Sequence, residues 1–403
     1  MPAGVEGFVP GRLRMAREAR ALRQIELANR VDRTAATISK WENDEQPQRP
    51  EPAVLPVLAQ ALDVEVSWFL KPLEKQRHSA AFFRSLKSEL EMMRLKARGR
   101  LDFVEAIEHV LSEHVDLPEV DIPDFLNGQH FASLRFEDID AIAGACREHW
   151  DLGDGPIDDL MVVIENAGVV VAEDQIGSEK LDGLSRWALS NGRPYMLLAQ
   201  DKRVGVRRRL DAAHELGHII LHRYVSPHEL EEHFRLIEDQ AMWFAGAFLL
   251  PQESYEDDIF SLSLDAMLSV KKKWKVSVGA QIKRLSNLKK FSDQYERRLW
   301  QYYSHRRWRT FEPYDDEIEI EQPINLKEAI ELLIEEDGMS RDELVREIGI
   351  SRRDISALTG VPESYLSPVT ENLVRLKPKL RDAGAGEAPR QAEVIPWSGP
   401  RRS

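Results

Sequence analysis

Two histidines and a glutamate lie within five consecutive residues of this 403-residue chain. His214 and His218 are four positions apart, so on an α-helix their imidazoles would share one face and could bind one metal ion. Glu215 would then lie beside that ion, where its carboxylate could accept a proton from a bound water. This is the arrangement that a zinc hydrolase requires: three protein ligands, one open position and a carboxylate base.

Apolar residues around this pair recur at positions 213, 216, 217, 220 and 221. This spacing predicts an amphipathic helix over residues 211–222, with the histidines on a second stripe. A further amphipathic helix is predicted over residues 236–250, because Pro251 ends its apolar pattern. Glu238 lies near the edge of that pattern, and an antiparallel pair of the two helices would bring it towards the histidines.

Other side chains compete for a place at this site. Glu231 and Glu232 are weaker rivals of Glu238, and His222 is either a core histidine or a residue that supports a ligand. A solvated helix face would also explain a histidine pair taken alone, but the second acidic helix argues against it. Cys146 is the only cysteine, which excludes a thiolate-rich structural zinc site. An open catalytic site with nitrogen and oxygen ligands is therefore favoured.

The composition indicates a soluble globular protein of two to four domains. Hydrophobic residues make up 42% of the chain and charged residues 31%. No stretch predicts a transmembrane helix, and the N-terminus lacks the apolar core of a signal peptide. A single cysteine fits a reducing cytoplasm, where we expect the protein to act. The net charge of −14 argues against nucleic-acid binding by the whole chain, but not by a local module.

Residues 11–70 predict several short helices with little β signal. Thr34 is a good N-cap for the helix that follows it, in which Ile38 and Trp41 would face the core. A short helix, a tight turn and a second helix with polar exposed side chains are typical of helix-turn-helix DNA-binding modules. The alternative is a helical bundle used for protein contact, so a homodimer is among the expected assemblies.

This segment resembles the Cro/CI-type, or XRE-like, helix-turn-helix family. The match rests on Arg14, Arg17, Arg20, Leu22, Gln24, Glu26, Leu27 and Ala28, on Thr37 to Asn43, on Leu58 to Val64 and on Trp68 to Leu70. The resemblance implies double-stranded operator DNA as a partner, with phosphate contacts by Gln24 and Lys40 and base contacts at the start of the recognition helix. The residues expected to face DNA are Gln24, Thr34, Ala35, Ala36, Thr37, Ser39, Lys40 and Asn43.

Two features of this segment depart from a strong DNA-binding pattern. Ala35 and Ala36 stand where the family usually has polar side chains, although alanines can contact thymine methyl groups. Residues 1–72 hold ten basic and ten acidic side chains. Electrostatic attraction to DNA is therefore expected to be modest.

The middle of the chain predicts helices first and then a small sheet. One or two long helices are expected over 75–113, and prolines mark a linker near 116–133. Three short strands are predicted over 168–172, 182–188 and 194–199, the last two joined by an Asn-Gly turn. A small sheet packed on the histidine helix would offer an edge strand, to which an extended peptide can add.

Residues 137–255 resemble the ImmA/IrrE family of zinc metallopeptidases. The signatures are Trp150-x-Leu152-Gly153-x-Gly155-Pro156-Ile157, Asp182-x-x-Ser185-x-Trp187, Arg193-Pro194-Tyr195, the run from Arg207 to His222, and Glu238-x-Gln240-Ala241-x-x-Phe244-Ala245-x-x-x-Leu249-x-Pro251. The resemblance implies a zinc metalloendopeptidase with Zn²⁺ held by His214, His218 and Glu238, and with Glu215 as general base. It also implies a protein substrate, characteristically a transcriptional repressor. Gly183-Leu184 replaces the family's more usual small-aromatic pair before Ser185, which is expected to alter the pocket.

The chemistry expected at such a site is hydrolysis of a peptide bond. Zinc lowers the pKa of a bound water to about 7 and polarises the scissile carbonyl. Glu215 would accept the proton of the water and pass it to the leaving amine. Tyr195 or His222 is considered for the oxyanion or for a supporting role behind a ligand, although Tyr195 is equally explained as a core residue of a strand.

The expected fold class is α+β and predominantly helical. It comprises an N-terminal all-α helix-turn-helix domain at 1–72, a helical connector and linker at 73–133, and a zincin-like metallopeptidase domain with a small sheet at 134–290. A helical C-terminal domain at 291–378 and a disordered tail at 379–403 follow. Two functions stay open: a DNA-binding regulator that hydrolyses a partner regulatory protein, or a DNA-binding repressor or antitoxin-like regulator whose zinc site is structural or inactive.

Overall fold

Seventeen α-helices and one three-stranded sheet form the part of the chain that the structure, a computed structural model, describes: residues 4–45, 48–73, 80–82, 91–178, 180–201 and 204–367. The predominantly helical α+β class is therefore confirmed. The helices are α1 (Pro10–Ala19), α2 (Gln24–Arg30), α3 (Ala35–Trp41), α4 (Leu55–Leu62), α5 (Glu91–Ser112), α6 (Phe136–His149), α7 (Leu160–Asn166), α8 (Gly205–Leu221), α9 (Pro227–Leu249), α10 (Gln252–Asp258), α11 (Leu264–Trp274), α12 (Val278–Asn287), α13 (Asp293–His305), α14 (Asn325–Glu335), α15 (Arg341–Ile348), α16 (Arg352–Thr359) and α17 (Glu363–Leu366). The strands are β1 (Val170–Asp174), β2 (Gly183–Ala188) and β3 (Arg193–Ala199). None of the helices in these residues combines the length and the apolarity that a membrane crossing requires.

The N-terminal helices α1 to α4 follow their apolar spacing and their caps. Thr34 Oγ1 accepts a hydrogen bond from the amide of Thr37 at 3.2 Å, and α3 begins at the next residue after this cap. Ile38 and Trp41 are buried in the core of the bundle. The opposite face of α3, which includes Lys40, is therefore exposed.

A buried ion pair ties α1 to the end of α3. Arg17 Nε and Nη2 donate to the two carboxylate oxygens of Glu42 at 2.6 and 2.9 Å, and both residues are buried. Glu42 Oε2 also accepts a hydrogen bond from Gln24 Nε2 at 2.8 Å, which adds the start of α2. Because a bidentate arginine–carboxylate pair restricts geometry as well as adding energy, it fixes α3 relative to α1.

The sheet has the strand order β1-β3-β2, with β1 parallel and β2 antiparallel to β3. Each strand lies within two residues of its predicted bounds. On β3, Tyr195 and Leu197 pack into the core formed with α1, α5 and the C-terminal helices, whereas Met196 and Leu198 pack into the core around α8 and α9. Since side chains alternate along a strand, the sheet contributes one face to each of two apolar cores.

An acidic stripe on α5 faces the first of these cores. Asp102 accepts from Arg186 Nη2 at 2.6 Å, and Glu105 accepts from Arg186 Nε at 2.8 Å. Glu108 accepts a hydrogen bond from the Tyr195 hydroxyl at 2.9 Å. Burial raises the pKa of Glu105 to about 7 against the opposing charge of Arg186. Arg186 therefore compensates carboxylates whose burial alone would be unfavourable.

The C-terminal helices pack on the same core, and Asp354 of α16 is their main ionic contact. Its carboxylate binds Arg20, the residue after α1, whose Nη1 donates at 2.8 Å, and Arg100 of α5. Arg100 Nε also donates to Asp174 of β1 at 2.5 Å. Burial alone would raise the pKa of Asp354, but the two arginines lower it to about 2.

The domain limits predicted at 72, 133, 290 and 378 stay predictions. The N-terminal helices, α5 and the helices α14 to α17 contribute to one apolar core. The helical prediction over 75–113 is met by α5 from Glu91 to Ser112 but is wrong at residues 80–82, where the backbone of Phe82 forms a bridge with Ser185 instead. The predicted tail at 379–403 lies outside the described residues.

We predict that Asp354→Asn lowers the free energy of unfolding by about 2 kcal/mol at pH 7, because two guanidiniums lose their shared counter-charge. The folded pKa lies below the usual value near 3.8, so the stabilisation is present above that pH and is lost as the pH falls through about 2. The difference between the two proteins should shrink to about 1 kcal/mol near pH 3.

Urea unfolding at pH 7 and at pH 3 measures this difference. Asp342→Asn is the matched control, since Asp342 pairs with Arg352 at an exposed position on α15. It should cost less than about 1 kcal/mol. Equal losses for the two variants would contradict the role assigned to Asp354.

Candidate metal centre

The helices α8 and α9 carry the two histidines and Glu238, and small residues let them pack closely. A Cβ added at Gly217 would lie 3.0 Å from Ala241 O of α9, so a larger residue would push the helices apart. α9 bends at His233, where φ is −111° and ψ is 18°. Glu238 lies after this bend, on the part of α9 that crosses α8.

Three side chains from these helices meet at one point. His214 Nε2 and His218 Nε2 lie 3.1 Å apart. The carboxylate oxygens of Glu238 lie 3.5 Å from His214 Nε2 and 3.3 Å from His218 Nε2. Within the described residues, these three form the group whose ligand atoms could surround one metal ion.

The separations within this cluster fit a tetrahedral ion. Ligand atoms at about 2.0–2.1 Å from a zinc ion lie about 3.3–3.4 Å from one another in a tetrahedron. Glu238 Oε1 is buried and makes no hydrogen bond within the described residues, and a buried oxygen of this kind needs a partner. Two imidazoles and a carboxylate are a donor set typical of catalytic zinc, which keeps a fourth position open. The residues present therefore fit a divalent ion such as zinc.

A chain of hydrogen bonds fixes the protonation of His218. Gln240 Nε2 donates to Phe131 O at 2.8 Å, which turns Gln240 Oε1 towards His222 Nε2 at 3.0 Å. His222 Nε2 must then carry a proton, so its Nδ1 accepts from His218 Nδ1 at 3.1 Å. His218 Nε2 is left with a lone pair that points into the cluster. The structure thus places His222 behind His218, with both of its ring nitrogens occupied.

Glu215 follows His214 on α8, and its side chain contacts the edge strand β2. Ser185 Oγ donates to Glu215 Oε2 at 2.6 Å. A Cβ added at Gly183 would come within 2.9 Å of the same carboxyl group, so a larger residue at this strand position would displace the Glu215 side chain. The altered pocket expected from Gly183-Leu184 stays a prediction.

The pKa shifts in the cluster follow from burial and from neighbouring charge. Burial lowers the pKa of His218 to about 4, although Glu238 opposes this. Burial alone would raise the pKa of Glu238, but the two histidines lower it to about 2. Burial raises the pKa of Glu215 well above its usual value, Ser185 opposes the shift and Glu238 adds to it. A bound cation would favour the ionised form of Glu215.

Tyr195 is not brought to the cluster. Its hydroxyl donates to Glu108 and accepts from Asn191 Nδ2, each at 2.9 Å. It pairs with Arg186 in the β2–β3 register, so its side chain shares the face of Arg186 rather than that of Ser185. The structure therefore does not support the oxyanion role expected for Tyr195. Glu231 and Glu232 are exposed and precede the bend in α9.

Three residues at the site had no individual role in the sequence-based prediction. Ser185 and Gln240 belong to the motifs that carry the family resemblance, and that membership was the signal available for them. Phe82 had no such signal. Its ring stacks on the His218 ring with centroids 4.6 Å apart and an interplanar angle of 7°.

The residues expected to face DNA lie on α2, on α3 and at its ends. Exposed among them are Thr34, Ala36, Ser39, Lys40 and Asn43, whereas Gln24, Ala35 and Thr37 are half-buried. The hydroxyl groups of Thr34 and Thr37 lie 2.9 Å apart. The exposed part of this surface therefore combines one alanine with four polar side chains, and the DNA contacts assigned to it stay a prediction.

Comparison with protein-family models gives two matches. Residues 13–69 match a helix-turn-helix model, and residues 164–286 match a peptidase model described as an IrrE N-terminal-like domain. No curated protein matches the chain. The fusion that the sequence motifs predicted is confirmed: a helix-turn-helix domain precedes an IrrE-like peptidase domain in one chain.

We predict that Glu238→Ala lowers the zinc affinity by more than about 100-fold, because it removes one of the three ligand side chains. Gln240→Leu should lower it by about 10–100-fold, since the tautomer of His218 would no longer be fixed. Competition with a chromogenic zinc chelator measures both effects. Glu232→Ala, an exposed glutamate on the same helix, is the control and should bind zinc as the unaltered chain does. Equal zinc affinities for all four proteins would contradict this site.

Proposed function

We propose that this protein is a DNA-binding transcriptional regulator whose zinc-dependent endopeptidase domain hydrolyses a peptide bond in a partner regulatory protein. The observation that supports the peptidase most directly is the contact of Glu215, the residue after His214, with Ser185 of the edge strand β2. A metal-binding cluster, a neighbouring carboxylate that can act as a base and a strand edge to which a peptide can add together suit peptide hydrolysis. The match to the IrrE N-terminal-like domain supports the same conclusion.

The cluster and Glu215 have separate tasks in this proposal. His214, His218 and Glu238 hold the zinc ion, which when bound polarises the scissile carbonyl and acidifies a water. Glu215 would take the proton of the attacking water as the C–O bond forms, and would then deliver it to the amine nitrogen as the C–N bond breaks. Ser185 orients the Glu215 carboxylate by donating to one of its oxygens.

The edge strand would orient the substrate. Along β2, the carbonyls of Asp182 and Ala188 bond towards β3, so the backbone groups of Gly183, Ser185 and Trp187 point away from it. An extended peptide that adds to this edge would run past Glu215. A regulatory protein is the substrate class that fits best, because the peptidase is fused to a helix-turn-helix domain. We place this activity in the cytoplasm.

We predict that Glu215→Gln abolishes cleavage while zinc binding is retained. Glutamine keeps the size of the side chain and can still accept from Ser185, but it cannot act as the base, so the rate should fall by at least about 100-fold. The measurement is a map of new protein N-termini in cells that express either form, together with zinc content by mass spectrometry.

Glu231→Gln, which alters an exposed acid near the start of α9, is the matched control and should leave the cleavage products unchanged. Identical products from the wild type and Glu215→Gln would exclude proteolysis. The zinc site would then be structural or inactive, and the protein would regulate through DNA alone.

The DNA-binding half of the proposal rests on α3. Its exposed face includes Ser39 and Lys40, which could meet DNA in the major groove. The helix-turn-helix match over 13–69 covers this surface.

We predict that Lys40→Ala weakens binding to duplex DNA from the promoter of its own gene. One lost phosphate contact should also reduce the slope of log affinity against log salt by about 1. Fluorescence anisotropy over a salt series measures both quantities. Lys327→Ala, on α14, is the control and should bind like the wild type. An unchanged affinity and slope for Lys40→Ala would remove Lys40 from the DNA contacts.

A further inference from the structure

A short segment from the connector lies on the outer edge of β2. The amide of Phe82 donates to Ser185 O at 3.3 Å, which forms an antiparallel bridge. The amide of Ala80 donates to Val225 O at 3.3 Å, just beyond the end of α8. Ala80 and Phe82 are both buried. The segment therefore runs from the strand edge across to the C-terminal end of the histidine helix.

The side chain of Phe82 fills a space against two histidines. Its ring stacks parallel to His218 at 4.6 Å and lies 5.6 Å from the His222 ring at an angle of 42°. Only 1% of Phe82 is exposed. The Phe82 ring thus covers one face of the His218 imidazole, which we propose as a zinc ligand.

Ser185 links this segment to the catalytic machinery. Its carbonyl receives the Phe82 amide, while its hydroxyl holds the Glu215 carboxylate. The outward backbone groups of a strand edge can pair with one extended segment at a time. A substrate that adds to β2 beside Glu215 must therefore displace residues 80–82.

We propose that this edge of β2 is a binding site for an extended peptide segment with a large aromatic side chain, and that Ala80–Phe82 occupies the site as an internal ligand that excludes the substrate. The inference rests on the proposed peptidase function for the identity of the substrate site. Phe82 defines its specificity: an aromatic ring lies against His218 and His222, and small residues precede it. The partner protein should present a segment of the same chemistry.

A peptide-binding assay tests this inference without turnover. The probe is a fluorescein-labelled peptide with the sequence of residues 78–86, and the protein is the zinc-loaded full chain carrying Glu215→Gln. The tethered segment competes at an effective concentration on the order of millimolar, so the parent protein should bind the probe weakly. Adding Phe82→Ala should tighten the dissociation constant at least about tenfold, because the internal ligand loses its anchoring ring.

Two controls isolate the aromatic contact. Phe136→Ala removes a ring that is stacked on Trp243 at 4.2 Å and should leave probe binding unchanged. A probe with alanine at both of its phenylalanine positions should not bind the Phe82→Ala protein. Melting temperatures report whether each variant folds. If Phe82→Ala fails to fold, Phe82→Leu replaces it and should give an intermediate gain.

Equal probe affinity for the parent protein and the folded Phe82 variant would overturn the inference, and so would binding that ignores the aromatic positions of the probe. The intact mass of the zinc-loaded wild type should stay constant on incubation. Fragmentation within residues 80–83 would show that the segment is cut rather than held, which also overturns it. Loss of partner cleavage in Glu215→Gln is measured separately, so failure of the proposed function and failure of this inference are distinguishable.

Discussion

The pairing register of the edge strand β2 is the constraint on which the rest of the structure depends. Ser185 meets Glu215 on one face of the sheet, and the next residue, Arg186, meets Asp102 and Glu105 on the other. A shift of one residue in register would exchange these environments. It would leave a buried guanidinium without its carboxylates, at a cost of several kcal/mol. Ionic pairing therefore fixes the register that places Ser185 beside the Glu215 carboxyl group.

The same strand also links the helix-turn-helix bundle to the helix that carries the histidines. α5 holds Arg186 from one side and packs against α1 of the helix-turn-helix bundle, and Arg100 of α5 reaches Asp354 of α16. The other face of the same sheet packs on α8, which carries His214 and His218. The helices that carry the proposed DNA-binding surface and those that carry the proposed zinc cluster thus pack on opposite faces of one sheet.

The features that sequence could predict are those set by local periodicity. His214 and His218 are paired by the helical repeat alone, and Thr34 caps α3 through an interaction three residues long. Glu238 could also be predicted from sequence, because the apolar pattern of α9 shows which face of the helix it lies on. The three strands followed from short apolar runs and an Asn-Gly turn.

The features that sequence could not predict depend on register and on distant contacts. Tyr195 was considered for the oxyanion, but strand register points it towards α5. The support of His218 by His222 and Gln240 requires the side-chain torsions of three residues on two helices, which no repeat encodes. Phe82 lies in a stretch whose composition predicted only helix. Its pairing with Ser185 is a contact between segments far apart in the chain.

The most direct test of the account is zinc K-edge X-ray absorption spectroscopy of the zinc-loaded full chain. An open catalytic centre predicts a four-coordinate ion with two imidazole nitrogens at about 2.0 Å, one carboxylate oxygen and one further oxygen from solvent. The solvent ligand should be replaced when a hydroxamate inhibitor is added. A spectrum with four protein ligands and no oxygen from solvent, or one that hydroxamate leaves unchanged, would contradict a catalytic site and indicate a closed structural one.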